Sequence, residues 1–311
     1  MEVKNKKMTS KYVIGCSANN NYAPHLGVML YSLLKNCSKP TNVIVYIMDG
    51  GISKENKEKF LNLEKRFKTK INFLNPNKKK FEKLEFGRHF GIEAYYRLDL
   101  VNQVKEKKLL YLDCDLIVEG DIINLFKEKI EKEIALAVED QGVSNLNKKA
   151  IGLNEKEPYF NSGLMLIDGY KWRKKNISEK IIEYILKNPK SIEYADQDEL
   201  NKILQNKWRK LSPSWNYIVR SLPIVSIVLK KPNVKEIKII HYAGIVKPWF
   251  LLDRHPLRGR YWYYAKQTEW FTEIKKKTRD PVKAIRRVLD YKNFIIFKIK
   301  KYLELKSAIT P

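Results

Sequence analysis

Short apolar runs alternate with helical apolar repeats along most of the chain. Runs with the length of buried strands occupy residues 12–16, 43–48, 70–74, 109–112, 134–138, 159–168 and 238–242. Apolar residues at three- and four-residue spacing predict helices at residues 26–37, 53–67, 92–104, 172–186 and 196–204. This alternation predicts an α/β fold in which helices cover both faces of a mostly parallel sheet.

The apolar run at 109–112 ends in two carboxylates, Asp113 and Asp115, with Cys114 between them. In an extended chain, residues i and i+2 point to the same side, so this spacing brings two oxygen donors together. The end of a strand is also where open α/β sheets bind ligands. A pair of solvated turn aspartates would give the same pattern, and the D-x-D spacing alone leaves both interpretations open.

Polar residues gather near other predicted strands as well. The clearest groups are residues 17–22, 139–140, 161–163 and 243–249. The pattern places each group at the carboxyl end of a predicted strand, and these ends share one edge of a parallel sheet. We therefore expect a single ligand site assembled from several loops.

The chain is strongly basic. It contains 61 Lys and Arg against 35 Asp and Glu, a formal net charge of +26. Such an excess implies attraction to an anionic partner: a nucleic acid, a membrane surface or a phosphorylated substrate.

Length and cysteine content suggest a large intracellular domain. A chain of 311 residues with 44% hydrophobic composition can bury the core of one large α/β domain and carry an appendage. Residues 1–11 lack the apolar core of a signal peptide, and no segment has the long uncharged run of a membrane span. The three cysteines are widely spaced and odd in number, which favours thiols in a reducing cytoplasm.

Six motifs in order along the chain resemble glycosyltransferase family 8. They are Asn-Asn-Asn-Tyr at 19–22, Tyr-Tyr-Arg-Leu at 95–98, Leu-Tyr-Leu-Asp-Cys-Asp at 110–115, Tyr-Phe-Asn-Ser-Gly at 159–163, Asp-Gln-Asp at 196–198, and His-Tyr-Ala-Gly at 241–244 with Lys-Pro-Trp at 247–249. The resemblance covers residues 12–249. It implies a GT-A fold, a nucleotide-sugar donor, Mn²⁺ and retention of the anomeric configuration.

The resemblance also implies a metal site and a donor site. Asp113, Asp115 and His241 would bind the metal, and this mixed set suits Mn²⁺ better than Mg²⁺, although Mg²⁺ remains possible. The residues implied to bind metal, nucleotide or sugar are Ala18, Asn19, Asn21, Tyr22, His89, Arg97, Asp113, Cys114, Asp115, Asp140, Asn161, Ser162, Asp196, Gln197, His241, Gly244 and Lys247.

Three of these residues are expected to act on the transferred sugar. Gln197 matches the family position beside the anomeric carbon. An amide oxygen is a poor nucleophile, so front-face attack through a short-lived oxocarbenium ion is favoured, with Gln197 stabilising positive charge. Asp196 would bind sugar hydroxyls, although a helix N-terminus capped by Asp196 explains the same residues. Arg97 would reach the donor sugar and the metal site.

The loop after the first strand matches the family's nucleoside site. Tyr22 is expected to stack on uracil. The family often has an acidic residue at the position of Asn19, and an amide oxygen there can still accept a hydrogen bond from the base. His89 would contact the nucleotide or the acceptor.

The expected activity is transfer of galactose or glucose from a UDP-sugar to a cell-envelope glycan or glycolipid, such as a lipopolysaccharide or lipooligosaccharide core. A basic nucleic-acid-binding protein would explain the charge but not the motif set, so nucleic acid is not an expected partner. A sugar nucleotidyltransferase would need a glycine-rich, basic phosphate loop after the first strand. Residues 17–22 are neither glycine-rich nor basic.

The C-terminal region has a different composition. Between Lys275 and Lys306, apolar residues are interspersed among lysines and arginines, as in helices that lie in an anionic membrane interface. A helix packed on the preceding domain is the alternative. We expect a catalytic domain at 1–250 and a basic, amphipathic, membrane-associating region at 251–311, on the cytoplasmic face of the cell membrane.

Overall fold

The computed structural model describes residues 11–82, 84, 91–188, 196–218, 236–244, 247–251, 255–279 and 296. The strands are β1 Tyr12–Ala18, β2 Val43–Asp49, β3 Lys70–Leu74, β4 Lys108–Leu112, β5 Leu116–Val118, β6 Ala135–Glu139, β7 Phe160–Asp168, β8 Trp208–Lys210, β9 Tyr217–Ile218 and β10 Ile239–His241. The helices are α1 Ala23–Asn36, α2 Lys54–Phe67, α3 Tyr96–Gln103, α4 Ile123–Phe126, α5 Asn145–Ala150, α6 Gly169–Lys174, α7 Ile177–Lys187, α8 Asp196–Ile203, α9 Arg258–Ala265 and α10 Phe271–Thr278.

Seven strands form the main sheet in the order β3-β2-β1-β4-β7-β6-β8. Strands β3, β2, β1 and β4 are parallel to one another, whereas β7 is antiparallel to both β4 and β6. Neighbouring residues of β1 point to opposite faces, so Val13 joins the core on one side and Ile14 the core on the other. The predicted mostly parallel sheet with helices on both faces is confirmed.

The antiparallel direction of β7 corrects one expectation. Asn161, Ser162 and Gly163 lie at the beginning of their strand, not at its carboxyl end. They still reach the ligand edge of the sheet, because an antiparallel strand starts where its parallel neighbours finish. The Gly163 carbonyl oxygen accepts a hydrogen bond from the Asp113 N–H at 2.9 Å.

A second sheet of three strands, β5-β10-β9, lies beside the end of β4. β5 and β10 pair antiparallel with His241 opposite Leu116. Leu116 follows Asp115 directly, so this register fixes His241 next to the two aspartates.

Two predicted helices are divided in the structure. The segment predicted at 92–104 begins as a 3₁₀ turn at Ile92–Ala94 and continues as α3. The segment predicted at 172–186 is two helices, α6 and α7, separated at Asn176, whose φ of 51° lies in the left-handed region. Asparagine tolerates this conformation better than most residues, which explains the break.

The described part of the C-terminal region packs against α1 and α2. Tyr261, Trp270 and Ile274 are buried in the same core as α1. The indole N–H of Trp270 donates a hydrogen bond to Asn56 Oδ1 at 2.7 Å, and Tyr261 Oη is 2.7 Å from His25 Nδ1. The predicted division of the chain at residue 250 stays a prediction. Of the more distal tail, only residue 296 is among the described residues.

No helix among the described residues is long and apolar enough to span a membrane.

Gly27 allows Trp270 to lie directly on α1. A Cβ atom at Gly27 would be 2.3 Å from the Trp270 ring. We expect Gly27→Ala to lower the free energy of unfolding by about 1–3 kcal/mol, the usual cost of overpacking. Urea unfolding measures this. Gly259→Ala is the matched control: outside the backbone of its own helix and its chain neighbours, no atom of the described residues lies within 4 Å of its added Cβ, so it should not lower stability. Equal stability of both variants would contradict the observed packing.

Candidate active site

Asp113, Asp115 and His241 converge at the edge of the sheet. Each offers one ligand atom, and these atoms all lie within 4.8 Å of one another. His241 Nε2 is 3.3 Å from Asp115 Oδ1. Two carboxylates and one imidazole form a donor set that suits a divalent transition metal such as Mn²⁺, so the residues fit the predicted ion.

Gly163 forms one wall of this cluster. A Cβ atom at this position would be 2.4 Å from His241 Cε1 and 2.7 Å from Asp113 Oδ2. Only glycine allows strand β7 to approach both metal-site side chains. Gly163 was not among the predicted site residues, although it stands in the Tyr-Phe-Asn-Ser-Gly motif.

Lys247 neutralises Asp115. Its Nζ contacts Asp115 Oδ2 and donates a hydrogen bond to the Tyr242 carbonyl oxygen at 3.0 Å. Burial alone would raise the pKa of Asp115, but the ammonium group of Lys247 beside it outweighs burial and holds that pKa well below its usual range. Asp115 is therefore ionised and ready to bind a cation.

Arg97 joins two parts of the site. Its guanidinium donates to the Ser162 carbonyl oxygen at 2.7 Å and to Asp113 Oδ1 at 3.0 Å, and its Nε is 2.9 Å from Asp196 Oδ2. Burial raises the pKa of Asp196 to about 7, although Arg97 opposes the rise. Arg97 therefore holds the carboxylates of Asp113 and Asp196 in place on either side of its guanidinium.

Gln197 lies in a network of amides. Its Oε1 accepts hydrogen bonds from Asn161 Nδ2 at 2.9 Å and from the Ser162 N–H at 3.1 Å. Its Nε2 donates to Asp140 Oδ2 at 3.3 Å. Both lone pairs of the Gln197 oxygen are thus occupied, and contact with a positively charged sugar would compete with these bonds.

In the loop predicted to bind the nucleoside, Asn19 makes hydrogen bonds within the protein. Its Oδ1 accepts hydrogen bonds from the N–H groups of Asn21 and Tyr22, at 3.0 and 3.1 Å. Its Nδ2 donates to Glu93 Oε1 at 3.0 Å. In this conformation Asn19 therefore shapes the loop, because its oxygen is already used. Glu93, which the sequence did not single out, supplies a carboxylate next to it.

Two other predicted residues, Tyr22 and Ala18, belong to this loop or to the strand end before it. Tyr22 is 41% exposed and meets the Trp249 ring edge-on at a centroid distance of 6.3 Å. The Ala18 carbonyl oxygen accepts a hydrogen bond from Gly50 N at 2.9 Å, which holds the end of β1.

Two more of the predicted residues have local roles in the structure. Cys114 Sγ donates to the Ser17 carbonyl oxygen at 2.9 Å, and burial raises the pKa of this thiol well above its usual value. Gly244 has a φ of 94°, a conformation that favours glycine. His89 lies outside the described residues.

Helix α8 buries a run of polar side chains behind the Asp113–Asp115–His241 cluster. The Tyr159 hydroxyl donates to Asp198 Oδ1 at 2.6 Å, and the Tyr95 hydroxyl donates to Glu199 Oε1 at 3.2 Å. Glu199 is fully buried, and its Oε2 has no hydrogen-bond partner among the described residues. Burial raises the pKa of Glu199 to about 9, so it is protonated at neutral pH.

A model of the family Glycosyl transferase family 8 matches residues 13–252. General stress protein A of Bacillus subtilis is 36% identical over 273 residues, which cover 84% of this chain and 95% of that protein. The lipopolysaccharide 1,2-glucosyltransferase of Escherichia coli is 25% identical over 287 residues, which cover 89% of this chain and 83% of that protein. The galactosyltransferase LgtC, solved with donor and acceptor sugar analogues, aligns with a TM-score of 0.71 at 24% identity, covering 83% of this chain and 96% of LgtC. The likeness to LgtC shows a common fold.

The raised pKa of Glu199 predicts a pH-dependent stability. Between its ordinary value of 4.5 and about 9, the folded state keeps a proton that the unfolded chain releases. The free energy of unfolding therefore falls as pH rises through this window, by up to about 1.4 kcal/mol per pH unit. Glu199→Gln removes the titrating group, so we expect its stability relative to wild type to be greater at pH 8 than at pH 5.

Thermal unfolding at both pH values measures this effect. Glu183→Gln is the control, because Glu183 is exposed and its loss should leave the difference between the two pH values unchanged. Parallel stability–pH curves for wild type and Glu199→Gln would show that Glu199 ionises as readily in the folded chain as in the unfolded one.

Proposed function

The chain belongs to glycosyltransferase family 8, and we propose that it is a retaining, metal-dependent hexosyltransferase that moves galactose or glucose from a UDP-sugar to a cell-envelope glycan. The observation that carries this proposal is the convergence of Asp113, Asp115 and His241 within 4.8 Å, beside the Asp196 and Gln197 side chains. A cation held by these three residues would lie next to side chains that can bind a sugar.

Asp113, Asp115 and His241 would hold the divalent cation. When bound, Mn²⁺ would act as a Lewis acid on the diphosphate of the leaving group, and Mg²⁺ could replace it less effectively. Lys247 already lies against Asp115 and would bring a positive charge to the same diphosphate. Gly244 would leave room for the phosphates, since no atom of the described residues, its two chain neighbours aside, lies within 4 Å of the place where its Cβ would be.

The transferred sugar would lie against α8 and the start of β7. Asp196 and Asp140 offer carboxylates for sugar hydroxyls, and Asn161 and Ser162 flank the same surface. Gln197 is held by three hydrogen bonds and therefore presents its amide in a fixed orientation. Contact of the Gln197 oxygen with positive charge at the anomeric carbon would replace one of these hydrogen bonds, and front-face attack with retention is the proposed course of the reaction.

The acceptor is proposed to be a lipid-linked glycan of the cell envelope. The Escherichia coli relative is named as a lipopolysaccharide 1,2-glucosyltransferase, which supports a glycan acceptor of this class. The basic residues of 280–311 would hold the enzyme at an anionic membrane surface, on the inner face of the cell membrane, where such acceptors are presented.

The metal assignment predicts loss and recovery of activity. A chelator should abolish hydrolysis of UDP-galactose and UDP-glucose, and Mn²⁺ should restore it better than Mg²⁺. Asp115→Asn should lower turnover at least about 100-fold, because a Lewis acid contributes several kcal/mol to catalysis. Glu55→Gln, which removes an exposed carboxylate, should leave turnover unchanged.

A panel of nucleotide sugars, assayed for released UDP, measures both effects and identifies the donor. Full activity after chelation would contradict the metal assignment. Absence of activity with every UDP-sugar, in a folded protein that binds Mn²⁺, would contradict the proposed donor.

The tail predicts membrane binding that is separable from catalysis. A chain ending at Arg279 keeps α10 and its packing on α1, but loses the basic residues of 280–311. We expect the full chain to sediment with anionic vesicles and the shortened chain to stay in solution while still hydrolysing donor. Each Lys or Arg near the surface contributes about 1 kcal/mol.

Salt provides the control for this experiment. Attraction between exposed charges is screened beyond about 8 Å at physiological ionic strength, so binding of the full chain should weaken as salt rises. Equal sedimentation of both chains, or equal binding to neutral vesicles, would contradict a membrane-binding role for the tail.

A further inference from the structure

A line of buried side-chain hydrogen bonds runs from the metal cluster to the sugar site. His241 Nδ1 is 3.0 Å from Asn216 Oδ1. Asn216 Nδ2 donates to Asn161 Oδ1 at 2.9 Å, and Asn161 Nδ2 donates to Gln197 Oε1 at 2.9 Å. Gln197 Nε2 then donates to Asp140. All five residues are buried, so each of these bonds is shielded from water.

Two backbone N–H groups fix the direction of this line. A backbone N–H can only donate, so the atom facing it must be an oxygen. The N–H of Gly163 lies 3.0 Å from Asn161 Oδ1, and the N–H of Ser162 lies 3.1 Å from Gln197 Oε1. Both amide side chains are thereby oriented.

The orientation passes on to His241. Because Asn161 presents its oxygen, Asn216 must face it with its NH₂ group and must turn its own oxygen towards His241. Asn216 Oδ1 can only accept a hydrogen bond, so the Nδ1 atom of His241 that faces it must carry a hydrogen. In the neutral ring the lone pair is then on Nε2, which lies 3.3 Å from Asp115 Oδ1, so two acceptors face each other and a cation between them would join both.

We propose that Asn216 is a positioning residue for the metal site: it holds His241 in the Nδ1–H tautomer with Nε2 facing the two aspartates, and through Asn161 it couples this ligand to Gln197. The proposal rests on the proposed function, because it takes His241 as a metal ligand. Partners that hold the second nitrogen of a metal-binding histidine raise metal affinity by about 10- to 100-fold.

The neighbouring backbone offers a different explanation for Asn216. The residue lies between a 3₁₀ turn at Pro213–Trp215 and strand β9, and its backbone N–H donates to the Pro213 carbonyl oxygen at 3.2 Å. Any residue could make that backbone bond. A purely structural Asn216 would therefore affect stability but not the tautomer of His241.

Two substitutions distinguish the two hydrogen bonds of the Asn216 side chain, the one to His241 and the one to Asn161. Asn216→Ala removes both the acceptor for His241 and the donor to Asn161. Asn216→Asp keeps an acceptor for the Nδ1–H group but cannot donate to Asn161 Oδ1, which the Gly163 N–H keeps in place. Asn36→Ala is the matched control, because its Nδ2 makes three hydrogen bonds away from the metal cluster, to the Ser32 and Val118 carbonyl oxygens and to the Tyr264 hydroxyl.

The first readout is the histidine tautomer. Long-range ¹H–¹⁵N correlation spectra of histidine-labelled protein, recorded without metal at mildly alkaline pH, distinguish Nδ1–H from Nε2–H. The chain has four histidines, and the signals of His241 are those lost in His241→Gln. We expect Nδ1–H in wild type, Asn36→Ala and Asn216→Asp, and a shift towards Nε2–H in Asn216→Ala.

The second readout is the affinity for Mn²⁺ alone, measured from the electron paramagnetic resonance signal of the free ion. Asn216→Ala should bind Mn²⁺ about 10- to 100-fold more weakly than wild type, whereas Asn36→Ala should bind it equally. Asn216→Asp should bind it at least as tightly, because a carboxylate supports a metal-binding histidine well. Its kcat for donor hydrolysis should fall about tenfold, with the KM for donor little changed, because Gln197 loses its connection to the metal site.

The outcomes separate this inference from the proposed function. A wild-type chain that does not bind Mn²⁺ overturns the metal assignment and this inference with it. A wild-type chain that binds Mn²⁺, together with an Asn216→Ala variant of unchanged tautomer or unchanged affinity, overturns only the role of Asn216. If Asn216→Ala does not fold, Asn216→Asp decides, and a kcat equal to wild type then overturns the coupling to Gln197.

Discussion

The main physical constraint on this protein comes from three carboxylates at one edge of the sheet, two of them half-buried and one buried. Asp113, Asp115 and Asp196 lie close together, and an unpaired buried charge costs several kcal/mol. Arg97 compensates two of them, because its guanidinium contacts Asp113 on one side and Asp196 on the other. Lys247 compensates Asp115. Two cations thus hold three carboxylates in place, and the Asp113–Asp115 pair beside His241 is the part of this edge that fits a divalent cation.

The backbone brings these groups together by three features that lie far apart in the chain. The D-x-D segment connects β4 of the main sheet to β5 of the small sheet. The antiparallel pairing of β5 with β10 places His241 opposite Leu116. Strand β7 is antiparallel to its neighbours and brings Gly163 next to His241 and Asp113. The absence of a side chain at Gly163 leaves room for both.

Much of the candidate site could be predicted because its motifs are local. The aspartates, the Asp-Gln-Asp run and His241 were each recognised, and the structure places them side by side. Asn216 and Glu93 were missed for a physical reason: their roles depend on partners 25 and 74 positions away, His241 and Asn19 respectively. Neither residue carries a pattern of its own that marks it as part of a site.

The sequence by itself determined the longer strands, most of the helices and the chemical character of the site. Buried parallel strands need continuous apolar runs and helices need periodic ones, and both are local patterns. Only the tertiary structure decided the direction of β7, the packing of Trp270 on Gly27, and the orientation of the buried amides. Each of these depends on contacts between distant segments, and the amide orientations depend on which backbone N–H groups face them. The tautomer of His241 is therefore a property of the folded chain, because the Gly163 N–H group sets it through two asparagine side chains.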